Sequence, residues 1–313
     1  MIGWVRASPP FREGMPVEIR WLEAFVAVAE ELHFGRAASR LGMAQSPLSQ
    51  TVRRLERELD TSLFDRSTRS VALTPAGRAL LPHVYRAFDE LELGRQATRA
   101  SDGVVHGTLS IGFSGALNHH TLSPLTRAVR SRYPEVTLSL TGRVMTREGV
   151  EQVERGGLDL AFVGLPIEAS PVRTRLVAQE PLGAVLPVDH RLAKEPVLDL
   201  ADLAGEPFVA TPVTAGSALQ QLAEQACVRA GFRPDVVQES TDPFLILTLV
   251  SAGVGVALMA ESIAAVLPPG AVHVPLRDEP TFMRHAIAWR DDNPSPVLRA
   301  VLEVAEEVLP APA

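Results

Sequence analysis

The stretch that decides the fold of the N-terminal part covers residues 34–69 and reads FGRAASRLGMAQSPLSQTVRRLERELDTSLFDRSTR. Its first apolar residues recur at helical spacing, and Gly42 suits the left-handed conformation that commonly ends a helix. A second helix is predicted from Gln45, because Pro47 falls in its first turn, where no N–H group needs a partner. The buried stripe of this second helix is expected to contain Leu48, Val52, Leu55 and Leu59. Two short helices joined by a tight turn predict a helix-turn-helix.

The face of the second helix that lies away from this stripe carries side chains suited to DNA. Serine and glutamine can form hydrogen bonds with base edges, and arginine can bind phosphate groups. The residues concerned are Ser49, Gln50, Arg53, Arg54 and Arg57. A solvated arginine face is equally common on ordinary surface helices, so this segment alone leaves both interpretations open.

The flanking segments favour the DNA-binding interpretation. Apolar residues at helical spacing over residues 19–32 predict a preceding helix that covers the pair. After the pair, residues 63–66 and 71–74 are two short extended runs around a four-residue turn, which predicts a two-stranded hairpin, or wing. Arg66 and Arg69 lie near the tip of this wing, where they can reach a phosphate or the minor groove.

In the order of these elements, the chain resembles the LysR-type transcriptional regulators. The likeness covers residues 15–100 and is carried by RWLEAFVAVAEELHFGRAASRLGMAQSPLSQTVRRLERELDTSLFDR and by LTPAG. The strings FGRAA and AQSPLS look most like the branch that controls the breakdown of aromatic compounds. The resemblance implies that double-stranded DNA is contacted by Gln45, Ser46, Pro47, Ser49, Gln50, Arg53, Arg54, Arg66 and Arg69.

Two positions depart from the family pattern. Gln50 stands where the family often has arginine, which implies a changed base preference or a lost phosphate contact. Asp60 stands where the family usually has glycine, so we expect the second helix to end with another kind of cap.

Composition and charge describe an ordinary globular chain with an uneven charge distribution. Of its 313 residues 46% are hydrophobic and 21% charged, and 313 residues exceed a usual single domain. Residues 1–100 hold 14 Arg against 12 acidic residues, a net charge of +2, and the net charge of −7 leaves −9 for residues 101–313. No apolar run approaches the roughly 20 residues that span a bilayer. We expect a cytoplasmic protein with a disordered extension over residues 1–14, no intrachain disulfide, and an acidic part that stays clear of DNA.

A long connecting helix is predicted after the wing. Thr74 and Pro75 form an N-cap and first-turn pair, and the helix is expected to run to about Ala100. Its apolar seam, which can either pair two subunits or pack on its own domain, comprises Leu80, Val84, Phe88 and Leu91. A homodimer formed through this helix would place two recognition helices roughly 34 Å or a multiple apart on an inverted-repeat site.

The acidic part alternates strands and helices in the manner of parallel βαβ units. Two such sets in series, the second starting near Val172, predict two similar lobes with a ligand-binding cleft between them. The chain is thus an α/β protein in three parts. These are a winged helix-turn-helix at 15–74, a linker helix with a hinge at 75–103, and a two-lobed domain at 104–313.

This part also resembles the effector-binding domain of the LysR family, which is itself similar to periplasmic solute-binding proteins. The similar strings are GTLSIGFSG, RYPEV, GLDLAFVG and SAGVGVAL. The resemblance implies a homotetramer that works with RNA polymerase and responds to a small organic acid. It implies an effector pocket formed by Ser114, Gly115, Ala116, Thr146, Gly164 and Thr211, although serine and threonine at such places are often only helix N-caps.

Catalytic, metal and cofactor sites are not expected. Gly112-Phe113-Ser114-Gly115 hints at a nucleophile elbow, but its second glycine comes one residue early and no base can be assigned. The adjacent His119 and His120 diverge on a helix, and Gly253-x-Gly255 lacks the third glycine of a dinucleotide site. The sequence leaves two other classes as rivals: a solute-binding transport component, which would need export, and an enzyme with a DNA-binding appendage.

Overall fold

A computed structural model describes residues 17–66, 71–99, 104–114, 120–167, 170–277 and 281–309. The chain divides into two compact units, Met1–Phe88 and Asp89–Ala313. The predicted N-terminal extension, the wing tip with Arg69, and the predicted hinge at residues 101–103 lie outside the described residues. The limits of the three predicted parts therefore stay a prediction. Along the described residues, no helix is long and apolar enough to cross a membrane.

Three short helices build the core of the first unit. They are α1 (Ile19–Glu31), α2 (Phe34–Arg40) and α3 (Gln45–Glu58). Phe25 and Ala37 are fully buried, and so are Leu48, Val52 and Leu55 of the predicted stripe on α3. The predicted helix-turn-helix is confirmed, and the burial of this stripe fixes which side of α3 faces outward.

Both helices of the pair end in the same left-handed cap. After α2, Gly42 has φ +65° and the Met43 N–H donates to the Ala38 carbonyl at 2.9 Å. After α3, Asp60 has φ +48° and the Thr61 N–H donates to the Glu56 carbonyl at 3.0 Å. The expectation of another cap at Asp60 was wrong, because a short polar side chain tolerates the left-handed conformation that glycine usually occupies.

The predicted wing is a two-stranded antiparallel hairpin. Its strands β1 (Phe64–Arg66) and β2 (Val71–Leu73) pair residue by residue. The Glu56 carboxylate on α3 accepts hydrogen bonds from the backbone N–H groups of Leu63 and Phe64, at 2.9 and 3.2 Å. The start of the wing is therefore tied directly to the helix that precedes it.

The connecting helix α4 (Pro75–Arg99) begins where the sequence predicts and runs through Pro82. Of its predicted seam, Val84 is buried in the core of the first unit, and Leu80 and Phe88 pack against that core. Leu91 alone among the four is exposed. The seam therefore packs largely on its own domain, and its spacing is not by itself evidence for dimerisation.

The second unit starts with a mixed sheet covered by helices. The elements of this lobe are β3 (Gly107–Gly112), α5 (Leu122–Arg132), β4 (Val136–Thr141), α6 (Thr146–Arg155), β5 (Leu160–Leu165), β6 (Val172–Pro187), β11 (Phe282–Arg290) and α9 (Pro296–Val308). The strand order is β4-β3-β5-β11-β6, in which β4, β3 and β5 are parallel and β11 is antiparallel to both of its neighbours.

The second lobe is built on the far half of β6. Its elements are β7 (Pro207–Ala210), α7 (Ala218–Arg229), β8 (Asp235–Glu239), α8 (Pro243–Ser251), β9 (Ala257–Ala260) and β10 (Ala271–Pro275), with 3-10 helices at Leu200–Leu203, Val213–Ala215 and Glu261–Val266. In this lobe β6 pairs antiparallel with β9 and β10, while β7 and β8 form a separate parallel pair.

Parallel βαβ units occur in both lobes, but only the first lobe repeats them as expected. In the second lobe β7, α7 and β8 form one such unit, whereas β6 pairs antiparallel with β9 and β10. The segment near Val172, where the second set was expected to start, begins one continuous strand, β6, of 16 residues. It is long because its first half pairs with β11 and its second half with β9 and β10. The second lobe therefore starts within a strand that it shares with the first.

We predict that Thr74→Ala destabilises the chain by about 1 kcal/mol through loss of the α4 N-cap. The Thr74 hydroxyl accepts from the Gly77 N–H at 3.0 Å and donates to the Ser62 carbonyl at 2.7 Å, so it also joins the wing to the helix. Urea denaturation of the full chain measures the loss. Thr74→Ser keeps the hydroxyl and serves as the matched control; equal destabilisation by both substitutions would contradict the capping role.

Candidate nucleic-acid interface and ligand cavity

The side of α3 opposite its buried stripe carries the residues predicted to contact DNA. The predicted contact residues at the start of α3 and along this side have exposed side chains, except for Ser49, which is half buried. The exposed members are Gln45, Ser46, Pro47, Gln50, Arg53 and Arg54. The fold thus brings seven of the nine predicted contact residues to one helix surface.

Ion pairing separates the arginines of the first unit into two groups. Arg36 pairs with Glu31 at 3.1 Å, and Arg40 pairs with Glu30. Arg53 and Arg54 are exposed and make no ion pair with any described residue. Such arginines can bind DNA phosphates, because binding releases counterions and breaks no ion pair within the protein.

The wing residues are only partly described. Arg66 is the last residue of β1 and its backbone pairs with Val71. The side chain of Arg66 and the whole of Arg69 lie outside what the structure describes. Their roles remain predictions from the resemblance.

Four of the six predicted effector residues line one cavity between the two lobes of the second unit. Its volume is about 110 Å³. Ser114 follows β3, Thr146 opens α6, Gly164 lies in β5, and Thr211 follows β7. Gly115 and Ala116 lie outside the described residues. Loops and strand ends that are distant in sequence therefore meet at this cavity, as ligand sites of α/β proteins commonly do.

Thr146 and Gly164 are hydrogen-bonded to each other in the cavity wall. The Gly164 N–H donates to the Thr146 hydroxyl oxygen at 3.0 Å, which leaves the hydroxyl proton for another acceptor. A Cβ at Gly164 would lie 2.3 Å from Met283 Cε and 2.5 Å from Ala218 Cβ. Glycine is required here because the neighbouring side chains approach the backbone so closely, and no residue with a side chain fits without displacement.

Three helices begin at this cavity. Its lining includes Thr146 of α6, Ala218 of α7 and Pro243 of α8, each the first residue of its helix. The N–H groups of a helix N-terminus carry partial positive charge and favour a bound anion. No lysine or arginine occurs among the described residues that line the cavity. The electrostatics therefore suit one carboxylate held by backbone and hydroxyl donors, without a charged side chain.

A buried carboxylate that the sequence analysis missed also lines the cavity. Glu180 of β6 is 9% exposed and accepts hydrogen bonds from the Ser262 N–H at 2.6 Å and the Ser262 hydroxyl at 3.2 Å. His285 Nε2 lies 2.9 Å from Glu180 Oε1. Burial raises the pKa of Glu180, but the interactions with His285 and Ser262 outweigh burial and hold that pKa below its usual range. Glu180 is therefore ionised at neutral pH.

Burial of polar side chains marks the cavity as more than a packing defect. Four polar residues are buried among the described residues, and three of them, Thr121, Glu180 and Ser217, line this cavity. Buried polar groups cost stability unless they are satisfied, so their concentration at one place indicates a functional site. A polar residue inside the apolar run from Leu176 to Pro187 was the one local signal for Glu180.

The possible nucleophile elbow has no catalytic partner in the described structure. The Ser114 hydroxyl lies 3.5 Å from the sulfur of Met145, and no described histidine or carboxylate is hydrogen-bonded to it. A thioether cannot accept a proton as a general base at neutral pH. Ser114 is therefore placed as a lining residue of the cavity.

Cys227, the only cysteine of the chain, is buried within α7. Burial raises the pKa of its thiol to about 11. The thiol is therefore protonated at neutral pH and is poorly reactive, as expected of a cysteine that acts as a small apolar core residue.

Two protein-family models match the chain and together cover most of it. Residues 19–78 match the model described as bacterial regulatory helix-turn-helix protein, lysR family. Residues 102–310 match the model described as LysR substrate binding domain. The two matched segments correspond to the helix-turn-helix with its wing and to the two-lobed unit that holds the cavity.

Known proteins similar to this chain include named regulators. The chain is 49% identical to the HTH-type transcriptional regulator ShiR of Corynebacterium glutamicum over 292 residues, which are 93% of this chain and 99% of ShiR. It is 32% identical to the regulator AlsR of Bacillus subtilis, over 92% of this chain and 95% of AlsR. In fold it is similar to full-length CbnR in complex with its target DNA, with a TM-score of 0.68 and 24% identity, covering 93% of this chain and 100% of CbnR.

We predict that Gly164→Ala lowers stability by about 1–3 kcal/mol, the usual cost of inserting atoms into a packed region. The added methyl group would overlap Ala218 Cβ, which cannot rotate away, whereas the end of Met283 can. Differential scanning calorimetry of the full chain measures the change. Gly94→Ala on α4, where an added Cβ meets nothing within 4 Å, is the matched control. An unchanged transition in Gly164→Ala would show that the lobes are not closely packed at this point.

Proposed function

The chain belongs to the LysR family of transcriptional regulators, and from this we propose that it is a homo-oligomeric repressor or activator controlled by a small organic acid. It is a DNA-binding regulator with a substrate-binding domain, and it is not an enzyme. The proposal rests on one observation, the cavity of the second unit. Three helices begin at this cavity, and no described lysine or arginine lines it.

For DNA, we propose that α3 enters the major groove. Gln45, Ser46, Pro47, Ser49 and Gln50 face the bases and Arg53 and Arg54 hold the backbone. The support is that Leu48, Val52 and Leu55 on the opposite side of α3 are fully buried and that neither arginine has an ion partner among the described residues. The wing contacts of Arg66 and Arg69 rest on the resemblance alone. A homodimer would read an inverted repeat, since a two-fold axis in the protein matches one in the site.

For the effector, we propose a carboxylate bound at the start of α6, with Thr146, Ser114 and Thr211 as donors and Gly164 as a close backbone neighbour. The roles of Gly115 and Ala116 rest on the resemblance alone. The helix N-termini supply the partial positive charge. The effector alters regulation only if it binds one arrangement of the two lobes more tightly than another. Control of aromatic-compound breakdown, suggested by the FGRAA and AQSPLS strings, stays a prediction.

For assembly, we propose a homodimer that pairs into a homotetramer, acts in the cytoplasm and contacts RNA polymerase. Two edge strands of the second unit, β4 and β8, leave most of their residues exposed, and β8 is exposed along its whole length. Exposed strand edges and apolar side chains such as Val237 and Leu140 are typical of surfaces that another copy covers. The fold shared with CbnR, which was crystallised with its target DNA, supports DNA binding in this arrangement.

We predict that Arg54→Ala weakens binding to all DNA sequences and lowers the slope of log affinity against log salt by about 1, because one phosphate contact is lost. A fluorescence-anisotropy titration of the full chain on its own upstream DNA at several salt concentrations measures both. Gln50→Ala is the matched variant: it should keep the salt slope and relax the consensus selected from random DNA. An unchanged slope in Arg54→Ala would remove Arg54 from the phosphate contacts.

We predict that Thr146→Ala abolishes the response to the effector and leaves DNA affinity intact. The substitution removes the hydroxyl that accepts from Gly164 and faces the cavity. A reporter assay on the regulated promoter gives the response, and a gel shift gives the affinity. Thr137→Ala, on the exposed strand β4, is the control for a threonine outside the cavity. A normal reporter response in Thr146→Ala would move the pocket elsewhere.

A further inference from the structure

The buried carboxylate of Glu180 gives the cavity a polar group that the proposed organic-acid site does not use. Glu180 and Ser262 line the cavity together with His285, while the carboxylate-binding donors are at Thr146 and the helix N-termini. Building on the proposed function, we propose that Glu180 makes the regulator selective for carboxylic acids that also carry a hydroxyl group.

The bonds of Glu180 leave room for one more donor. A carboxylate offers about four lone-pair positions. Ser262 occupies two of them with its N–H and its hydroxyl, and His285 Nε2 at 2.9 Å lies beside a third. The fourth lone-pair position of the Glu180 carboxylate has no donor among the described residues, and water is largely excluded from this buried group. A ligand that places only carbon there would leave a buried charge incompletely solvated, which costs binding free energy.

The charge of Glu180 also decides how an organic acid lies in the cavity. Two carboxylates at close range repel each other, and most strongly where water is scarce. The carboxylate of the effector must therefore lie at the helix N-termini, and a different group must face Glu180. That group has to donate a hydrogen bond, because an ionised carboxylate can only accept.

A hydroxyl fits the surroundings of Glu180 better than an ammonium group. An ammonium group has three donors and needs three acceptors, whereas Glu180 has one position left and is the only acidic side chain among the described lining residues. His285 already lies against the same carboxylate and would be brought next to the new cation. Seven of the described lining residues are serine or threonine, whose hydroxyl groups both donate to and accept from ligand hydroxyls.

The apolar part of the wall sets the size of the ligand. Phe162, Ile246, Met259 and Ile263 supply a surface against which a carbon skeleton can pack. A cavity of about 110 Å³ is comparable with apolar cavities that hold a six-membered ring. The effector class that results is a compact carboxylic acid, of about the size of one ring, with a hydroxyl group away from its carboxylate.

Isothermal titration calorimetry on the full chain tests this with a matched series of probes. The series is cyclohexanecarboxylate, its 3- and 4-hydroxy derivatives, and its 3- and 4-amino derivatives. We expect at least one hydroxy acid to bind about tenfold more tightly than the parent acid, the size of effect typical of one hydrogen bond to a charged group. In Glu180→Gln that preference should fall to about threefold or less, because the charge is lost.

The controls separate binding from folding. Glu307→Gln, an exposed glutamate on α9, should keep the wild-type preference. Thermal unfolding of the full chain, followed by circular dichroism, checks that each variant is folded. If Glu180→Gln does not fold, the wild-type probe series still decides the question, because it requires no substitution.

Each result has a definite consequence. A hydroxy acid that binds tightest and loses its advantage in Glu180→Gln supports the inference. If the parent acid binds as tightly as its hydroxy derivatives, or if an amino derivative binds tightest, the inference is overturned while control by an organic acid stands. If none of the carboxylates binds, this inference is overturned, and the reporter assay with Thr146→Ala decides separately whether the cavity is the effector site.

Discussion

The pairing of β6 with β11 is the constraint on which the second unit depends. The two strands are hydrogen-bonded from Phe282 opposite Pro181 to Arg290 opposite Val172, and β6 then continues into the second lobe to pair with β9 and β10. One strand therefore belongs to both lobes, and a lobe can move only by bending it. The register irregularity between His285 and Ala286 lies at the cavity, where a local break in the ladder commonly re-aims a side chain.

The first unit depends on a different constraint, the amphipathic character of α3. Its buried stripe fixes the rotation of the helix, and the carboxylate of Glu56 ties the wing to it. Acidic partners on α1 then neutralise Arg36 and Arg40 but not the arginines of α3. Arg53 and Arg54, which have no ion partner among the described residues, thus leave positive charge on the exposed side of α3, so an acidic chain can still present cations to DNA.

Most of the fold follows from local patterns in the sequence. Helical spacing and capping residues predicted α1 to α4 within about two residues, because these helices bury apolar stripes and because Gly42 and Thr74 lie at helix ends. The continuous strand β6 and the antiparallel partners of the second lobe were not predicted. Periodicity reports which side of a strand is buried, but it does not tell which strand lies beside it.

The candidate site was predicted only in part, for the same reason. Ser114, Thr146, Gly164 and Thr211 were reachable because they stand at strand ends or helix starts within strings that resemble a known family. Glu180 could not be predicted from the sequence, because its partner Ser262 is 82 residues away. A glutamate in a mostly apolar run does not indicate which residue faces it. An ionised carboxylate inside a strand shared by both lobes nevertheless needs hydrogen-bond donors. Its presence there, where a leucine would pack at no electrostatic cost, is best explained by a ligand that supplies the last donor.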